Sequence, residues 1–192
     1  MARNPDKQAV FLELDGVLCE RPQLNIDGEP LYIDGALEAL QRIDPEVFKL
    51  FIATNREDIA MGRLREREFK KFCDRFIEDT RAAGIQIAKI YSCPYHPKGR
   101  QRYRKDSVFR KPAPGMFKMA QQEFDLNLAR CWMIGHTTTD VLAGSRGGVG
   151  TILVATGAGG NDGNYLVDPH AKVPDIQRAV TYINSFEMSL RC

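Results

Sequence analysis

The chain has 192 residues, 43% of them apolar, and its 27 Lys and Arg residues against 25 Asp and Glu residues give a formal net charge of +2. This length suits a single domain over residues 1–192, and the apolar content is enough for a packed core, which excludes a largely disordered chain. No apolar run approaches the roughly 18–20 residues that a membrane span needs, and a charge so close to balance predicts neither a membrane nor a nucleic-acid partner.

Strand-like and helix-like segments alternate from end to end. Short apolar runs predict strands over residues 8–14, 47–54, 85–93, 131–134 and 151–154. The intervening stretches predict helices over residues 35–43, 58–83, 114–124, 138–145 and 174–186. Because such alternation needs crossover connections, we expect an α/β fold with a doubly wound, three-layer open parallel sheet of Rossmann-like type.

Polar segments follow most of the predicted strands. They cover residues 13–16, 54–56, 93–96 and 135–140. Parallel sheets bind ligands outside the carboxyl ends of their strands, near a topological switch point. We therefore expect these segments to meet at one edge of the sheet.

The carboxylates among these segments are candidate catalytic groups. Glu13 and Asp15 alternate at the end of the first strand, so both can face one site. Such a pair suits a nucleophile beside a general acid, or two oxygens directed at a metal ion. Asp140 adds a further carboxylate at the same edge.

The remaining polar residues can bind an anion. Thr54 and Asn55 offer a hydroxyl, an amide and backbone N–H groups. Lys111, which lies in a proline-rich segment, supplies a positive charge. A cation, carboxylates and small donors together favour phosphoryl chemistry, which depends on positioning and electrostatics.

Five ordered motifs resemble the haloacid-dehalogenase superfamily of phosphatases, in the branch of D-glycero-D-manno-heptose 1,7-bisphosphate phosphatase and histidinol-phosphate phosphatase. The family motifs are Asp-x-Asp-Gly-Val, Thr-Asn-Gln-x-Gly-Ile-Ala-x-Gly, Cys-Pro-x-His-Pro, Arg-Lys-Pro-x-Pro-Gly-Met and Gly-Asp-x-x-x-Asp-x-x-Ala-Gly. Their counterparts here are residues 13–17, 54–62, 93–97, 110–116 and 135–144. The resemblance runs from about residue 10 to residue 186 and implies a phosphatase fold with little or no cap domain.

The resemblance also implies a role for each candidate residue. The catalytic positions would be Glu13, Asp15, Thr54, Asn55 and Lys111. The substrate-binding positions would be Thr54, Asn55, Arg110 and Lys111. The Mg²⁺ positions would be Glu13, Asp15, His136 and Asp140. The substrate implied is a small phosphorylated sugar.

Two of the most demanding positions depart from the family pattern. Glu13 stands where the family has its nucleophilic Asp, and the extra methylene moves the attacking oxygen by roughly 1–1.5 Å. A misplacement of about 1 Å can cost on the order of a hundredfold in rate. His136 stands where the family has a Mg²⁺-binding Asp, so we expect a weakened magnesium site, one for another divalent metal, or none.

The structural zinc that the branch often carries is not expected here. Cys93 remains, but Tyr95 takes the place of the family's His, and Ser107 and Phe109 take the places of two Cys. One thiol cannot form a four-coordinate zinc site. We expect Cys93 to be a buried thiol at a strand end.

A basic loop over residues 97–111 replaces the zinc clip. Its cations are Lys98, Arg100, Arg102, Arg104, Lys105, Arg110 and Lys111. The loop could bind a polyanionic substrate, or a nucleic-acid backbone with Tyr103 stacking on a base. A solvated loop without a partner is the alternative.

The cysteines and the first residues indicate an intracellular setting. The five cysteines are odd in number and form no Cys-x-x-Cys pair, which is typical of reduced thiols. Glu13 and Asp15 interrupt the first apolar run, so the layout of a signal peptide is missing. We therefore expect a cytoplasmic protein without a membrane partner.

Three functions remain open at this stage, and whether the protein is an enzyme is one of the open points. The first is a phosphatase that acts on a small sugar phosphate, with Glu13 as nucleophile and Asp15 as acid and base. The second is a homologue that binds a phosphate group, has impaired catalysis and serves as a sensor or partner. The third is a phosphatase or binding protein for nucleic-acid ends.

Overall fold

The computed structural model describes residues 7–24 and 29–191. The strands are β1 (Gln8–Leu12), β2 (Cys19–Leu24), β3 (Pro30–Tyr32), β4 (Phe48–Asn55), β5 (Ile87–Cys93), β6 (Trp132–Gly135), β7 (Gly150–Val154) and β8 (Ala171–Val173). The α-helices are α1 (Ala36–Gln41), α2 (Glu57–Ala60), α3 (Glu66–Ala82), α4 (Gly115–Phe124), α5 (Thr138–Gly147) and α6 (Ile176–Arg191). Within these residues no helix is long and apolar enough to cross a bilayer.

The central sheet is parallel throughout, with the strand order β5-β4-β1-β6-β7-β8. The chain runs outward from β1 through β4 to β5 and then returns to pair β6 with the other side of β1. The strand order therefore reverses at β1, and the crevice beside this strand is the topological switch point at which such folds bind ligands. The predicted α/β fold with an open parallel sheet is confirmed.

Alternate residues of β1 contact opposite layers of the molecule. Val10 and Leu12 belong to one apolar cluster, which includes residues of α1, α3 and α6. Ala9 and Phe11 belong to a second cluster, which includes residues of α4 and α5. Helices therefore cover both faces of the sheet, and this is why β1 is an uninterrupted apolar run.

An aromatic contact on the second face of the sheet joins α4 to β1. Phe117 is fully buried and meets Phe11 edge to face, with ring centroids 4.9 Å apart. Phe117→Ala is expected to lower the free energy of unfolding by about 3–5 kcal/mol, because the cavity cannot be refilled by neighbours. Urea unfolding measures this loss, and Leu166→Ala at a fully exposed side chain is the control, expected within about 0.5 kcal/mol of the parent. A midpoint unchanged by Phe117→Ala would contradict the packing.

Three details differ from the sequence prediction. The long helix predicted over residues 58–83 is interrupted, because Gly62 has φ 74° and the chain between α2 and α3 turns before the second helix begins. The antiparallel pair β2 and β3 and the edge strand β8 were missed. β8 has only three residues, and β2 is rich in polar residues, so neither shows the apolar run or alternation that indicates a strand.

The pair β2 and β3 lies between β1 and α1 in the chain, and β3 packs against α3. Tyr32 of β3 donates a hydrogen bond from its hydroxyl to Asp79, at 2.9 Å, and its ring contacts Phe76. The residues between the two strands, 25–28, lie outside the described part of the chain.

Candidate active site

The predicted site residues gather at the carboxyl ends of β1, β4 and β6. A cleft of about 240 Å³ opens there, and every predicted site residue lines it except Thr54, which is fully buried and hydrogen bonded to Glu13. A larger cavity of about 710 Å³ lies at the amino ends of β6 and β7 and contains none of the predicted residues. The expectation that the polar segments meet at one edge of the sheet is confirmed.

Lys111 is the central cation of the site. Its ammonium donates to Asp140 Oδ1 at 2.5 Å, to the Ala53 carbonyl at 2.7 Å and to Glu13 Oε2. Burial alone would lower the pKa of this lysine, but the carboxylates of Asp140 and Glu13 raise it above its ordinary value. The side chain is 1% exposed, so a full positive charge is held inside the protein at the edge of the cleft.

Asn55 fixes the backbone of Lys111 at the end of β4. Its amide nitrogen donates to the Lys111 carbonyl, and its amide oxygen accepts from the Lys111 N–H, each at 3.0 Å. This reciprocal pair ties the loop after β5 to the strand that carries Thr54. Asn55 therefore positions Lys111, and its side-chain amide is used in these two hydrogen bonds.

Both oxygens of Glu13 are engaged by the protein. Oε1 accepts from the Leu14 N–H at 2.7 Å and from the Thr54 hydroxyl, and Oε2 accepts from Lys111. The Glu13 N–H donates to the Ile134 carbonyl at 3.0 Å, which joins the end of β1 to β6. The longer side chain of Glu13 thus lies against donors at the strand ends.

Asp140 links the first turn of α5 to Lys111. Its Oδ2 accepts from the Thr137 N–H at 3.0 Å, the Thr137 hydroxyl at 2.8 Å and the His136 N–H at 3.1 Å. Burial alone would raise the pKa of this carboxyl, but the Lys111 ammonium and the hydrogen bonds hold it below its ordinary value. Gly135 permits the close approach, since a Cβ there would lie 2.2 Å from the Asp140 Cβ.

His136 lies in a slot between two glycines. Its Nδ1 accepts from the Ala158 N–H at 2.8 Å, which assigns the proton of the neutral ring to Nε2. A Cβ at Gly16 or Gly157 would approach this nitrogen to 2.7 or 2.4 Å, so the ring fits only because both positions are glycine. In this arrangement the imidazole has no lone pair left for a metal ion.

Arg56 is a buried residue of the site that the sequence analysis missed. It occupies the position of Gln in the family's Thr-Asn-Gln motif, and it is 1% exposed. Its Nη2 donates to Asp15 Oδ2 at 2.6 Å and to the Thr54 hydroxyl at 2.8 Å, and lies 3.9 Å from Glu13 Oε1. The replacement of a neutral amide by a guanidinium within a motif was the signal that could have identified it.

The predicted metal positions do not form a ligand set for a divalent cation. They are Glu13, Asp15, His136 and Asp140. Lys111 or Arg56 is ion-paired with each of the three carboxylates, and the imidazole lone pair is engaged. Within the described residues, no group of three or more His, Cys, Asp or Glu side chains is placed to hold a metal ion. The oxygens of these carboxylates are thus paired with cations of the protein, whereas Mg²⁺ takes oxygen ligands in near-octahedral geometry.

Cys93 and Arg110 are the two remaining residues that the sequence analysis singled out near the site. Cys93 is buried at the end of β5, as predicted, and burial raises the pKa of its thiol. Arg110 lines the cleft and is 24% exposed, with its Nη2 at 3.9 Å from Glu57 Oε2. Its Nε is buried without a hydrogen-bond partner among the described residues.

Two cations of the basic loop lie over tyrosine rings in or beside the loop. The Arg102 guanidinium lies over the Tyr103 ring at 4.8 Å, and the Lys105 ammonium lies over the Tyr95 ring at 3.8 Å. Arg102 also pairs with Glu66 of α3 at 2.9 Å. These contacts occupy part of the loop's charge and aromatic surface internally, and nothing in them supports the nucleic-acid hypothesis.

Comparisons with known proteins relate this chain to phosphatases. A family model described as HAD-hydrolase-like matches residues 108–179. The D-glycero-beta-D-manno-heptose-1,7-bisphosphate 7-phosphatase of Pasteurella multocida is 31% identical over 177 residues, which cover 88% of this chain and 96% of that protein. The D-glycero-alpha-D-manno-heptose-1,7-bisphosphate 7-phosphatase of Burkholderia mallei is 34% identical over 149 residues, which cover 77% of this chain and 79% of that protein.

A solved structure has the same fold. It is the D,D-heptose 1,7-bisphosphate phosphatase from B. bronchiseptica, complexed with magnesium and phosphate. The TM-score is 0.80 at 22% identity, over 94% of this chain and 99% of that one.

Proposed function

Because the chain belongs to the haloacid-dehalogenase-like hydrolases, in the branch of the D-glycero-D-manno-heptose-1,7-bisphosphate 7-phosphatases, we propose that it is a phosphatase acting on a small phosphorylated sugar. The observation that carries this proposal is the buried Lys111 ammonium, held by Glu13 and Asp140 at the carboxyl edge of the sheet. A preorganised cation beside a carboxylate nucleophile is what phosphoryl transfer requires of a protein.

Substrate binding would place the phosphate group in the cleft, between Lys111 and Arg110. Both cations line the cleft, and the buried Nε of Arg110 is a donor that lacks an acceptor. Asn55 and Thr54 would act by holding Lys111 and Glu13 in place. A cleft of about 240 Å³ matches a phosphate group with part of a sugar and leaves the rest of the substrate at the mouth.

The chemical step assigned to Glu13 is attack of a carboxylate oxygen on phosphorus. The ester P–O bond breaks, the leaving sugar oxygen takes a proton, and water then hydrolyses the acyl phosphate to return the carboxylate and inorganic phosphate. Asp15 is the nearest candidate proton donor, but its ion pair with Arg56 at 2.6 Å favours the carboxylate over the acid. The hydrogen bonds that Glu13 accepts from Thr54 and Lys111 also lower the nucleophilicity of its oxygens. We therefore expect slow turnover.

A second function is favoured by the same ion pair. If Asp15 cannot release a proton and Glu13 stays bound to Thr54 and Lys111, the cleft can bind a phosphate group without hydrolysing it. Such a protein would act as a sensor or as a partner subunit.

A phosphate-release assay over sugar phosphates and bisphosphates separates the two functions. The natural chain is expected to release phosphate slowly, and Glu13→Gln, which keeps the shape but removes the nucleophile, is expected to reduce the rate at least about a hundredfold. Glu46→Gln, at an exposed position, is the matched control. An unchanged rate in Glu13→Gln would overturn the phosphatase mechanism.

A repaired variant completes the comparison. Glu13→Asp combined with His136→Asp restores the family residue at both altered positions. Ligand-induced thermal stabilisation of the natural chain without phosphate release, together with turnover by the repaired variant, would favour the binding function.

A further inference from the structure

We propose that Arg56 takes the electrostatic place of a divalent cation, so that the cleft binds a phosphate group without any metal ion. The phosphate ligand rests on the proposed function, whereas the exclusion of metal concerns the residues of this chain alone. The motivating observation is a buried guanidinium in contact with the carboxylates on which a metal ion would depend.

The guanidinium is fixed in the site by contacts on several sides. Nη2 bridges Asp15 and Thr54, and Nε donates to the Asn55 carbonyl at 2.9 Å. The ring of Phe69 lies beneath the guanidinium carbon, 5.2 Å away. Arg56 is therefore a fixed part of the strand end, and a metal ion bound to Oδ2 of Asp15 would have to displace its Nη2.

The charges of the site are nearly balanced by the protein itself. The buried or nearly buried carboxylates are Glu13, Asp15 and Asp140. Lys111 and Arg56 are buried beside them. These two cations already supply most of the positive charge that a divalent ion would bring, so adding such an ion would gain little attraction and would repel the guanidinium.

The burial of Arg56 is costly, which indicates that the carboxylates hold it there. Desolvation of a buried cation costs several kcal/mol unless it is well paired. Its Nη1 is buried without a hydrogen-bond partner in the described part of the chain, which adds to that cost. A surface arginine in this sequence position would avoid both penalties, so the contact with Asp15 and the nearby Glu13 carboxylate must compensate for them.

His136 stands where the family has a Mg²⁺-binding Asp, so the site lacks that carboxylate ligand as well. The ring sits in the slot between Gly16 and Gly157, and its Nδ1 is bound to the Ala158 N–H. Turning the ring to offer a lone pair would break that hydrogen bond. The substitutions at positions 56 and 136 therefore act together, since one adds a positive charge and the other removes a negative ligand.

A titration with Mn²⁺, followed by electron paramagnetic resonance, tests the metal site without reference to activity. The natural chain is expected to leave Mn²⁺ free, and Arg56→Gln with His136→Asp is expected to bind one ion. Arg63→Gln, which removes an exposed arginine paired with Asp58, is the matched control and is expected to behave as the natural chain. Stoichiometric binding of Mn²⁺ by the natural chain would overturn the proposal, and this measurement needs no variant to fold.

Thermal unfolding in the presence of inorganic phosphate tests the second part of the proposal, that the cleft binds phosphate without a metal ion. The natural chain is expected to gain the same increase in Tm in EDTA as in Mg²⁺, and Arg56→Gln is expected to weaken phosphate affinity about tenfold in EDTA. Stabilisation by phosphate only when Mg²⁺ is present would overturn the metal-free site. Absence of stabilisation in both media would refute the phosphate site of the proposed function and of this inference, while the Mn²⁺ titration would still decide whether Arg56 excludes a metal.

Discussion

Lys111→Met is expected to lower the free energy of unfolding by about 3–5 kcal/mol, the usual cost of removing one partner from a buried ion pair. The ammonium makes hydrogen bonds to Glu13, Asp140 and the Ala53 carbonyl. Methionine fills a similar volume but leaves two buried carboxylates facing each other without a cation. The same substitution is expected to abolish stabilisation by inorganic phosphate, because the central positive charge of the cleft is lost.

Urea unfolding at neutral pH, with and without phosphate, measures both effects. Lys172→Met, at an exposed position of β8, is the matched control and is expected to change stability by less than about 0.5 kcal/mol. Stability within about 1 kcal/mol of the natural chain would show that Lys111 is not the counterion of the buried carboxylates. Intact stabilisation by phosphate in Lys111→Met would contradict its role in the cleft.

The edge of the sheet that carries the cleft follows from the sequence, because a parallel sheet fixes where its strands end. Glu13, Thr54 and His136 each follow or end an apolar run, and parallel pairing brings those ends together. The positions of the strand ends do not predict which hydrogen-bond or ion-pair partner each side chain has. Whether a carboxylate oxygen contacts a metal ion or an ammonium depends on small differences in side-chain position. A pattern of residue types does not encode such differences.

Arg56 shows why one site residue escaped prediction. An arginine just before a predicted helix is typical of a solvated side chain, and only the pairing of β1 with β4 brings it beside Asp15. The proton position of His136 depends in the same way on Ala158, which is 22 residues further along the chain and follows β7. Both findings arise from tertiary contacts between segments that sequence analysis treats separately.

The interruption between α2 and α3 has a local cause in the chain itself. Gly62 adopts φ 74°, and Arg65, which precedes the first residue of α3, is extended with φ −90° and ψ 145°. A glycine inside a helical pattern is tolerated often enough that periodicity alone favoured one long helix. The resulting short helix α2 begins directly after Arg56, so it lies next to the site and is separate from α3.

Asp140→Asn is expected to cost about 3 kcal/mol at neutral pH, since it leaves the buried ammonium of Lys111 with one carboxylate fewer. The folded-state pKa of Asp140 lies below its ordinary value, so its contribution is complete above the ordinary carboxyl pKa and is lost as the pH falls through the folded-state value. The stability gap between the natural chain and Asp140→Asn should therefore be constant near neutrality and shrink in acid.

Urea unfolding from about pH 7 to about pH 3 follows this gap across the range in which carboxylates titrate. Asp168→Asn, at an exposed carboxylate, is the control, and it is expected to change stability by less than about 0.5 kcal/mol at neutral pH. A gap for Asp140→Asn that stays constant down to about pH 3 would mean that its charge does not stabilise the fold. A gap that narrows in acid would identify the Asp140–Lys111 pair as the ionic link between α5 and the loop that carries Lys111.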